Sequence, residues 1–381
     1  MNKPERSPRR AIGRLILPLG ILTIAACVDG PGRLPDSSDI EPEFDHEALG
    51  YTRLEPVSVA TSDSFGEPFE LLYLDGYVLV SDYPAGGSAI HVLTADSLRL
   101  VASFGRKGDG PGEFRAHPGL FAARGAGAFW AYDAGQARLT FYRLEDVRNG
   151  EFKGARHVPL VLERIMYELA FLDRDRAVGL GLFASGRFAL IDVAMATVRY
   201  AGDLPPSRHD APPNVVQNAY YGRLAAHPDG SRFVLATAYG GIIEIYGADG
   251  SIVHRVNTPS PFEPDYLVDT DEGFPRLIRG AWNRGGYVDV DGTENFIIAL
   301  FSGRAEAHFR GSYRQAEYLH VFDWEGNLVR VFRLDCLVQR IAVSPDGTML
   351  FATALHLEPT VLGYRLPEIF PAPEVVATSS P

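Results

Sequence analysis

Eight residues with side chains suited to binding an anion or an acidic partner lie in the second half of the chain. They are Arg276, Arg279, Trp282, Arg284, Arg304, His308, Arg310 and Arg314. A guanidinium group is planar and can bind carboxylates and phosphates through paired hydrogen bonds. We therefore predict one basic patch, formed by the segments 259–286 and 302–317. In the alternative interpretation, each arginine pairs with a nearby aspartate or glutamate as a solvated loop charge.

Other kinds of chemistry have less support in the sequence. The ten histidines are scattered, and none shows the paired spacing of a zinc site. The acidic segment 269–272 lacks the spacing and the glycine of an EF-hand calcium loop. The glycine-rich segment 108–112 lacks the Lys-Ser or Lys-Thr of a P-loop, and no Gly-x-Ser-x-Gly elbow occurs. We expect no metal and no cofactor, and we assign no catalytic residue.

The first 26 residues have the pattern of an export signal. Basic residues precede an apolar run of about 12 residues, which is too short to cross a bilayer as a helix. The sequence Ile24-Ala25-Ala26-Cys27 resembles a bacterial lipobox, which predicts cleavage before Cys27 and a lipid on that residue. The alternative is an ordinary signal peptide that ends in a cysteine. Cys336 is the only other cysteine, so a lipidated chain could form no internal disulfide.

The formal net charge of −12 bears on the possible partners and the location. An acidic surface repels nucleic acid and anionic lipid, so we expect no nucleic-acid partner and membrane contact only through the lipid on Cys27. Val28 rather than aspartate follows Cys27, which favours sorting to the outer membrane. The predicted location is the bacterial cell envelope, with the protein facing the periplasm or the cell surface.

A short turn recurs six times, roughly every 50 to 60 residues. The copies are Asp75-Gly76, Gly125–Gly127, Asp173–Asp175, Asp229-Gly230, Asp291-Gly292 and Asp346-Gly347. Each turn separates two short apolar runs, and a second turn follows within the same repeat, so each repeat contains two hairpins. Six units of four antiparallel strands predict an all-β, single six-bladed β-propeller. Two sandwich domains are the alternative, but the two-hairpin period disfavours them.

The repeats also set the expected boundaries. The predicted blades cover about 65–105, 118–146, 167–201, 222–257, 286–334 and 339–366. The sixth blade lacks a fourth strand, and we expect the strand-like segment Tyr51–Ala60 to complete it and close the ring. Pro56 would be tolerated on such an outermost strand. The predicted organisation is a signal peptide at 1–26, a flexible tether at 27–49, a propeller at 50–367 and a frayed tail at 368–381.

Three stretches resemble known propeller families. Ser103–Phe114 resembles the connector between blades of NHL-type six-bladed propellers. Tyr221–Thr237 and Val321–Asn327 are similar to segments of the TolB-like six-bladed propeller lipoproteins of bacteria. This resemblance extends over nearly the whole chain after the tether. It implies an envelope-located binding protein, and the family supplies no established catalytic residues that could be transferred to this chain.

The function predicted from these features is a non-catalytic binding or scaffold module for an envelope protein or a small anionic ligand. The alternative is a metal-dependent enzyme of the lactonase or lyase type, with a cation at the channel mouth. Such an enzyme needs Asp, Glu or Asn side chains that converge from separate inner strands. The blade starts Leu169–Phe171 and Leu224–Ala226 are apolar, which disfavours the enzyme. The arginine-rich segments flank the inner strand of blade five, so we expect their side chains to meet at the channel mouth.

Overall fold

The computed structural model describes residues 44–61, 65–82, 87–123, 127–207, 210–270, 273–309, 314–354 and 358–369, except for the side chains of residues 308 and 309. The predicted signal peptide, Cys27 and most of the predicted tail lie outside these ranges. Strands dominate the part of the chain that is described. None of its helices is long and apolar enough to cross a membrane.

The strands form six blades, as the repeats predict: five are four-stranded antiparallel sheets, and the sheet of blade five has a fifth strand. The N-terminal segment supplies β1 (Thr52–Leu54) and β2 (Pro56–Thr61). Blade one consists of β3 (Pro68–Leu74), β4 (Tyr77–Asp82), β5 (Ile90–Thr94) and β6 (Leu100–Phe104), followed by β7 (Arg106–Lys107) and β8 (Glu113–Phe114) in a connector. Blade two consists of β9 (Gly119–Ala123), β10 (Ala128–Asp133), β11 (Arg138–Arg143) and β12 (Arg156–Pro159), with α1 (Leu144–Arg148) before its last strand. Blade three consists of β13 (Met166–Phe171), β14 (Arg176–Gly181), β15 (Phe188–Asp192) and β16 (Thr197–Ala201).

The second half of the ring contains the long insertions. After α2 (Pro213–Ala219), blade four consists of β17 (Gly222–Ala226), β18 (Arg232–Thr237), β19 (Ile243–Gly247) and β20 (Ile252–Arg255). The hairpin β21 (Leu267–Asp269) and β22 (Arg276–Ile278) precedes blade five, which consists of β23 (Tyr287–Gly292), β24 (Phe296–Phe301), β25 (Ala316–Asp323) and β26 (Leu328–Val338), with α3 (Glu306–Phe309) between β24 and β25. Blade six consists of β27 (Arg340–Val343), β28 (Met349–Ala354) and β29 (Thr360–Arg365).

Six apolar clusters hold neighbouring blades together. Each cluster contains residues of two adjacent blades, and together the clusters cover all six junctions of the ring. The second strands of the blades are the most buried: β10 and β24 are buried at every residue, and the other four are buried at every residue after the first. The β-branched and aromatic residues of these strands favour such buried sheet positions.

Four of the recurring turns lie between the first and second strands of their blades, and Gly125 and Ala126 of the second copy lie outside the described residues. Glycine adopts positive φ at Gly76, Gly230 and Gly347, where a side chain would strain the backbone. The predicted position of one turn and the predicted end of one blade are wrong. Asp291-Gly292 is the end of β23, and the turn follows at 293–295, where the Thr293 N–H donates to the Phe296 carbonyl. The fourth strand of blade two lies beyond residue 146, because α1 is inserted before it.

Antiparallel strand order places the connections at two opposite faces of the ring. We call the face where the inner strands begin the insertion face, and the face of the recurring turns the turn face. Connections between blades and links between second and third strands lie at the insertion face. All three long insertions are therefore there: the segment with α2, the segment with the β21–β22 hairpin, and the segment with α3. One of them has its own small core, in which Val215, Val216 and Ala219 of α2 pack with Ile242 and Tyr266. The described parts of the first two insertions therefore pack together against blade four.

The N-terminal strand β2 closes the ring, as predicted. It pairs antiparallel with β29 as the fourth strand of blade six, and Pro56 lies opposite Tyr364 on this outermost strand. The sequence did not predict the role of β1, which pairs parallel with β26 as a fifth strand of blade five. The N-terminal segment therefore joins the last two blades.

Residues 44–49, which the sequence assigns to the tether, pack on blade five. The ring of His46 stacks on Tyr318 at 3.6 Å, and its Nε2 lies 3.2 Å from Nε2 of His320. His320 Nδ1 in turn lies 3.0 Å from the Tyr287 hydroxyl. Burial lowers the pKa of His46 to about 4 and the pKa of His320 to about 3, so both rings are neutral at pH 7. The described fold therefore begins no later than Phe44.

Deleting the chain through residue 61 should prevent cooperative unfolding of the ring, whereas deleting it through residue 43 should not. The longer deletion removes β1 and β2, which exposes the backbone of β29 and leaves two blades with open edges. Thermal unfolding followed by circular dichroism measures the difference. Equal midpoints for the two deletions would show that the closing strand is dispensable.

Candidate functional site at the channel mouth

Five charged side chains from five blades meet inside the channel near the insertion face. We call this set the mouth cluster, and it consists of Glu70, Glu168, Arg223, Asp289 and Arg340. Each residue occupies one of the first three positions of its inner strand. Strands that begin at the same face of a closed ring bring such positions together around the axis. The cluster is therefore a product of the ring and not of any local motif.

Arg223 lies at the centre and bonds to three carboxylates at once. Its Nη2 donates to Glu70 Oε1 at 2.6 Å, its Nε donates to Asp289 Oδ1 at 3.2 Å, and its Nη1 donates to Glu168 Oε2. The arginine side chain is only 3% exposed. A guanidinium group offers five N–H donors in one plane, which suits it to three acceptors that approach from different directions.

Arg340 occupies the edge of the cluster. Its Nε lies 3.5 Å from Glu70 Oε1, and its Nη1 donates to the Gln339 carbonyl at 2.7 Å. Its guanidinium carbon also lies 4.7 Å from the ring centroid of Phe69. Glu70 therefore has two cationic partners, and this sets it apart from the other two acids.

These surroundings shift the three acids in different directions. Burial raises the pKa of Glu168 to about 8, although Arg223 opposes the shift. Burial also raises the pKa of Asp289. For Glu70 the two guanidinium groups outweigh burial, so its pKa is lowered. Perturbed carboxyl groups in a concave site are typical of functional sites, although structural ion-pair networks perturb them as well.

An aromatic rim surrounds the mouth cluster, formed by Phe69, His117, Tyr167, Tyr221 and Tyr239. The rings of Phe69 and His117 lie 4.3 Å apart, and those of Tyr167 and Tyr221 lie 4.7 Å apart. Tyr221 is near enough to the charges of Arg223 and Glu168 to be influenced by them, and burial raises its pKa. The site thus combines a charged floor with flat apolar walls, as small-molecule sites commonly do.

A cavity of about 300 Å³ lies inside the channel between the mouth cluster and the turn face. Glu70, Glu168 and Asp289 line one end of it, and Pro228 and Pro345 line the other. Apolar side chains of the inner strands, including Leu72 and Leu120, form much of its wall. The cluster therefore separates this cavity from the insertion face.

The convergence of acids that a metal-dependent enzyme needs is present, but it surrounds a cation of the protein itself. Glu70, Glu168 and Asp289 reach inward from blades one, three and five, and Arg223 occupies the point where they meet. A divalent ion at that point would be repelled by the guanidinium group. In the described part of the chain, no set of three or more His, Cys, Asp or Glu side chains is arranged to hold a metal ion.

The structure brings two of the predicted basic residues to one side chain, Tyr239. The guanidinium carbon of Arg279 lies 3.8 Å from the centroid of the Tyr239 ring, and Arg314 Nη2 donates to the Tyr239 hydroxyl at 2.9 Å. Arg279 also donates to the carbonyl of Asn218. These two arginines extend the aromatic rim on the insertion face.

The other predicted basic residues have separate partners. Arg276 pairs with Asp269 across the β21–β22 hairpin at 3.0 Å, and Arg304 is buried against Glu317 at 2.5 Å. Arg284 lies over the Phe262 ring at 4.4 Å. The half-buried Trp282 folds back against Gly280, where an added Cβ would lie 1.9 Å from its ring. The side chain of His308 and the whole of Arg310 lie outside the described residues.

A buried chain of Ser103, His91 and Asp82 has the composition of a hydrolase triad. His91 Nδ1 lies 2.8 Å from Ser103 Oγ, and its Nε2 lies 3.3 Å from Asp82 Oδ2. Asp82 also accepts the backbone N–H groups of Gly66 and Glu67 at 2.7 and 2.6 Å. These bonds connect the second, third and fourth strands of blade one to the segment before it. The arrangement stabilises the blade, and we assign it no catalytic role.

The sequence contains a signal for the mouth cluster at the blade starts, beside the apolar residues. A charged residue directly precedes the apolar residue at the start of five inner strands. The pairs are Glu70-Leu71, Glu168-Leu169, Arg223-Leu224, Asp289-Val290 and Arg340-Ile341. In blade two the same position is Gly119, before Leu120. Aligned on the ring, these pairs predict a charged layer in the channel.

Fold and site together define a six-bladed β-propeller with a charged channel mouth. A family model described as TolB-like 6-blade propeller-like matches residues 55–346, which is most of the chain. The chain therefore belongs to the TolB-like six-bladed propeller family, as the motifs suggested.

Two solved structures are similar to this chain. A member of the DUF4221 family from Bacteroides vulgatus is similar with a TM-score of 0.54 at 10% identity, over 82% of this chain and 97% of that one. The β-propeller domain of Myceliophteria thermophila Cps50 (Swd1) is similar with a TM-score of 0.46 at 12% identity, over 82% of this chain and all of that one. No curated protein matches the sequence.

Replacing Arg223 by methionine should destabilise the propeller by about 3–5 kcal/mol, because three buried carboxylates lose their common partner. The free energy of unfolding in urea measures this cost. The control is Arg276→Ala, which breaks an exposed ion pair and should change stability by less than about 1 kcal/mol. Similar small effects of both substitutions would show that the mouth cluster does not stabilise the ring.

Proposed function

We propose that this chain is a lipid-anchored propeller of the bacterial envelope that acts as a non-catalytic binding module. Its binding face is the insertion face, where the mouth cluster, the aromatic rim and the three insertions lie together. The observation that carries the proposal is the position of Arg223, which occupies the place where a propeller enzyme would hold a catalytic cation. The site is thus occupied by an internal ion pair, surrounded by a surface suited to contact.

The composition of the insertion face supports recognition of an acidic protein segment or a small anionic ligand. Arg279 and Arg314 converge on Tyr239, and Arg340 lies against Phe69. Arginine and aromatic residues are enriched among those that contribute most to protein interfaces. The packed core around α2 fixes this helix and the β21–β22 hairpin before any partner arrives, which lowers the entropic cost of binding.

Binding should depend on the insertion face and not on the turn face. The double variant Arg279→Ala/Arg314→Ala should lose envelope components that the wild type retains when immobilised. Arg174→Ala removes an exposed arginine in the turn between β13 and β14, so it is the matched control and should retain them. Partners retained by the double variant and lost by the control would place the binding face on the opposite side.

The alternative of a metal-dependent enzyme can be tested by the metal content of the purified domain. Elemental analysis of the domain purified without chelators should find less than stoichiometric divalent metal. One bound calcium or zinc ion per chain, with a fall in thermal stability when it is removed, would overturn the non-catalytic proposal.

The anchor can be tested separately from the binding. The full-length chain should partition with the membrane fraction, whereas Cys27→Ser should appear in the soluble envelope fraction, because the lipobox cysteine carries the lipid. A Cys27→Ser chain that stays with the membrane after a salt wash would contradict a lipid anchor. An alanine at Ser37, in the predicted tether, serves as the control substitution.

A further inference from the structure

The mouth cluster contains more acids than cations. Glu70, Glu168 and Asp289 face only Arg223 and Arg340, so a fully ionised cluster would carry a net charge of −1 inside the protein. An uncompensated buried charge is costly, and a carboxyl group in such a place takes up a proton instead. One additional positive charge is therefore needed to neutralise the cluster.

The other titratable groups around the cluster do not supply that charge. Tyr167 and Tyr221 are held neutral, because burial raises their pKa values. His117, which adjoins blade one, has a pKa lowered by burial and is also neutral at pH 7. The cations with the largest influence on Glu168 are Arg223 and Arg340, which are already counted in the cluster. A proton on one of the three acids is the remaining way to balance the cluster.

The contacts of the three acids indicate which of them carries the proton. Glu70 is close to both guanidinium groups, which favour its charged form. The second oxygen of Asp289 accepts the backbone N–H of Ile341 at 2.7 Å, which also favours a carboxylate. Within the described ranges, the ion pair of Glu168 is with Arg223, and a neutral carboxyl group can still accept that hydrogen bond through its carbonyl oxygen.

We propose that the mouth cluster binds one proton at neutral pH, carried by Glu168, and that the stability of the ring depends on pH through this proton. With the proton bound, three acids and two arginines form an electrically neutral joint between five blades. When the proton leaves, a negative charge appears on the wall of the channel cavity, which Glu168 lines. The folded ring is then destabilised, because the buried cluster carries an uncompensated charge. The proposal does not depend on the identity of any ligand of the insertion face.

The test compares wild type with Glu168→Gln, whose side chain has the shape of a neutral glutamic acid. The pKa of Glu168 is raised in the folded state from 4.5 to about 8, so the folded wild type binds a proton that its unfolded chain releases. Its stability therefore falls relative to Glu168→Gln as the pH rises from about 5 to about 8, and then levels off. The ratio of the two unfolding equilibrium constants should change by up to tenfold per pH unit over this window.

Two control substitutions show whether the effect belongs to Glu168. Glu70→Gln removes an ionised partner from both arginines, so it should destabilise the protein at every pH from 5 to 9. Asp289→Asn should do the same, because the carboxylate of Asp289 binds both Arg223 and Ile341. If Asp289→Asn instead gained stability with rising pH while Glu168→Gln did not, the assignment of the proton to Glu168 would be overturned.

Infrared spectroscopy provides a readout that does not depend on unfolding. At pH 7 the wild type should show the carbonyl band of a protonated carboxyl group, and Glu168→Gln should lack it. The proposal is wrong if this band is absent from the wild type, if the stability difference does not vary with pH, or if Glu168→Gln fails to fold at pH 7. Loss of partner binding in other experiments would bear on the proposed function and leave these results unchanged.

Discussion

One buried guanidinium group connects parts of the ring that are not neighbours. The apolar clusters join each blade only to the next one, whereas Arg223 of blade four bonds to acids of blades three and five on either side and, across the channel, to an acid of blade one. Such a joint specifies how far the inner strands of blades one, three, four and five lie from the axis, because all three carboxylates must reach the same planar group. Apolar side chains tolerate small displacements of one blade against another. A buried ion pair does not, because a displacement would leave charged atoms without partners. The rest of the channel architecture depends on this constraint.

The fold could be predicted from the sequence because it is built of repeats. Each turn residue and each apolar run occurs in several copies, so a weak local signal becomes a strong one when the copies are aligned. The closing strand was accessible for a related reason, since a blade with three strands requires a fourth from elsewhere. The shifted turn after β23 shows the limit of this reasoning, because a glycine can equally end a strand or form a turn.

The mouth cluster was not found from the sequence, although its residues occupy equivalent positions. A charged residue before an apolar one is common on any protein surface, and only closure of the ring turns five such residues towards one point. Likewise, the arginines of the insertions could be recognised as a group, but their partners could not. Arg276 and Arg304 form ion pairs with acids close to them in sequence. Arg279 and Arg314 both contact Tyr239, which belongs to blade four. Such choices depend on how the insertions pack against one another.

The two ends of the described fold meet in blade six, where β2 pairs with β29. This pairing sets an order of events during biosynthesis. The first strand of the ring to leave the ribosome has no partner until the last blade has been made, so the ring can close only after nearly the whole chain has emerged. Contacts between residues so distant in sequence form slowly, because a long loop must first be ordered. Until then blade six has an open edge, which is the hazard that the finished ring removes.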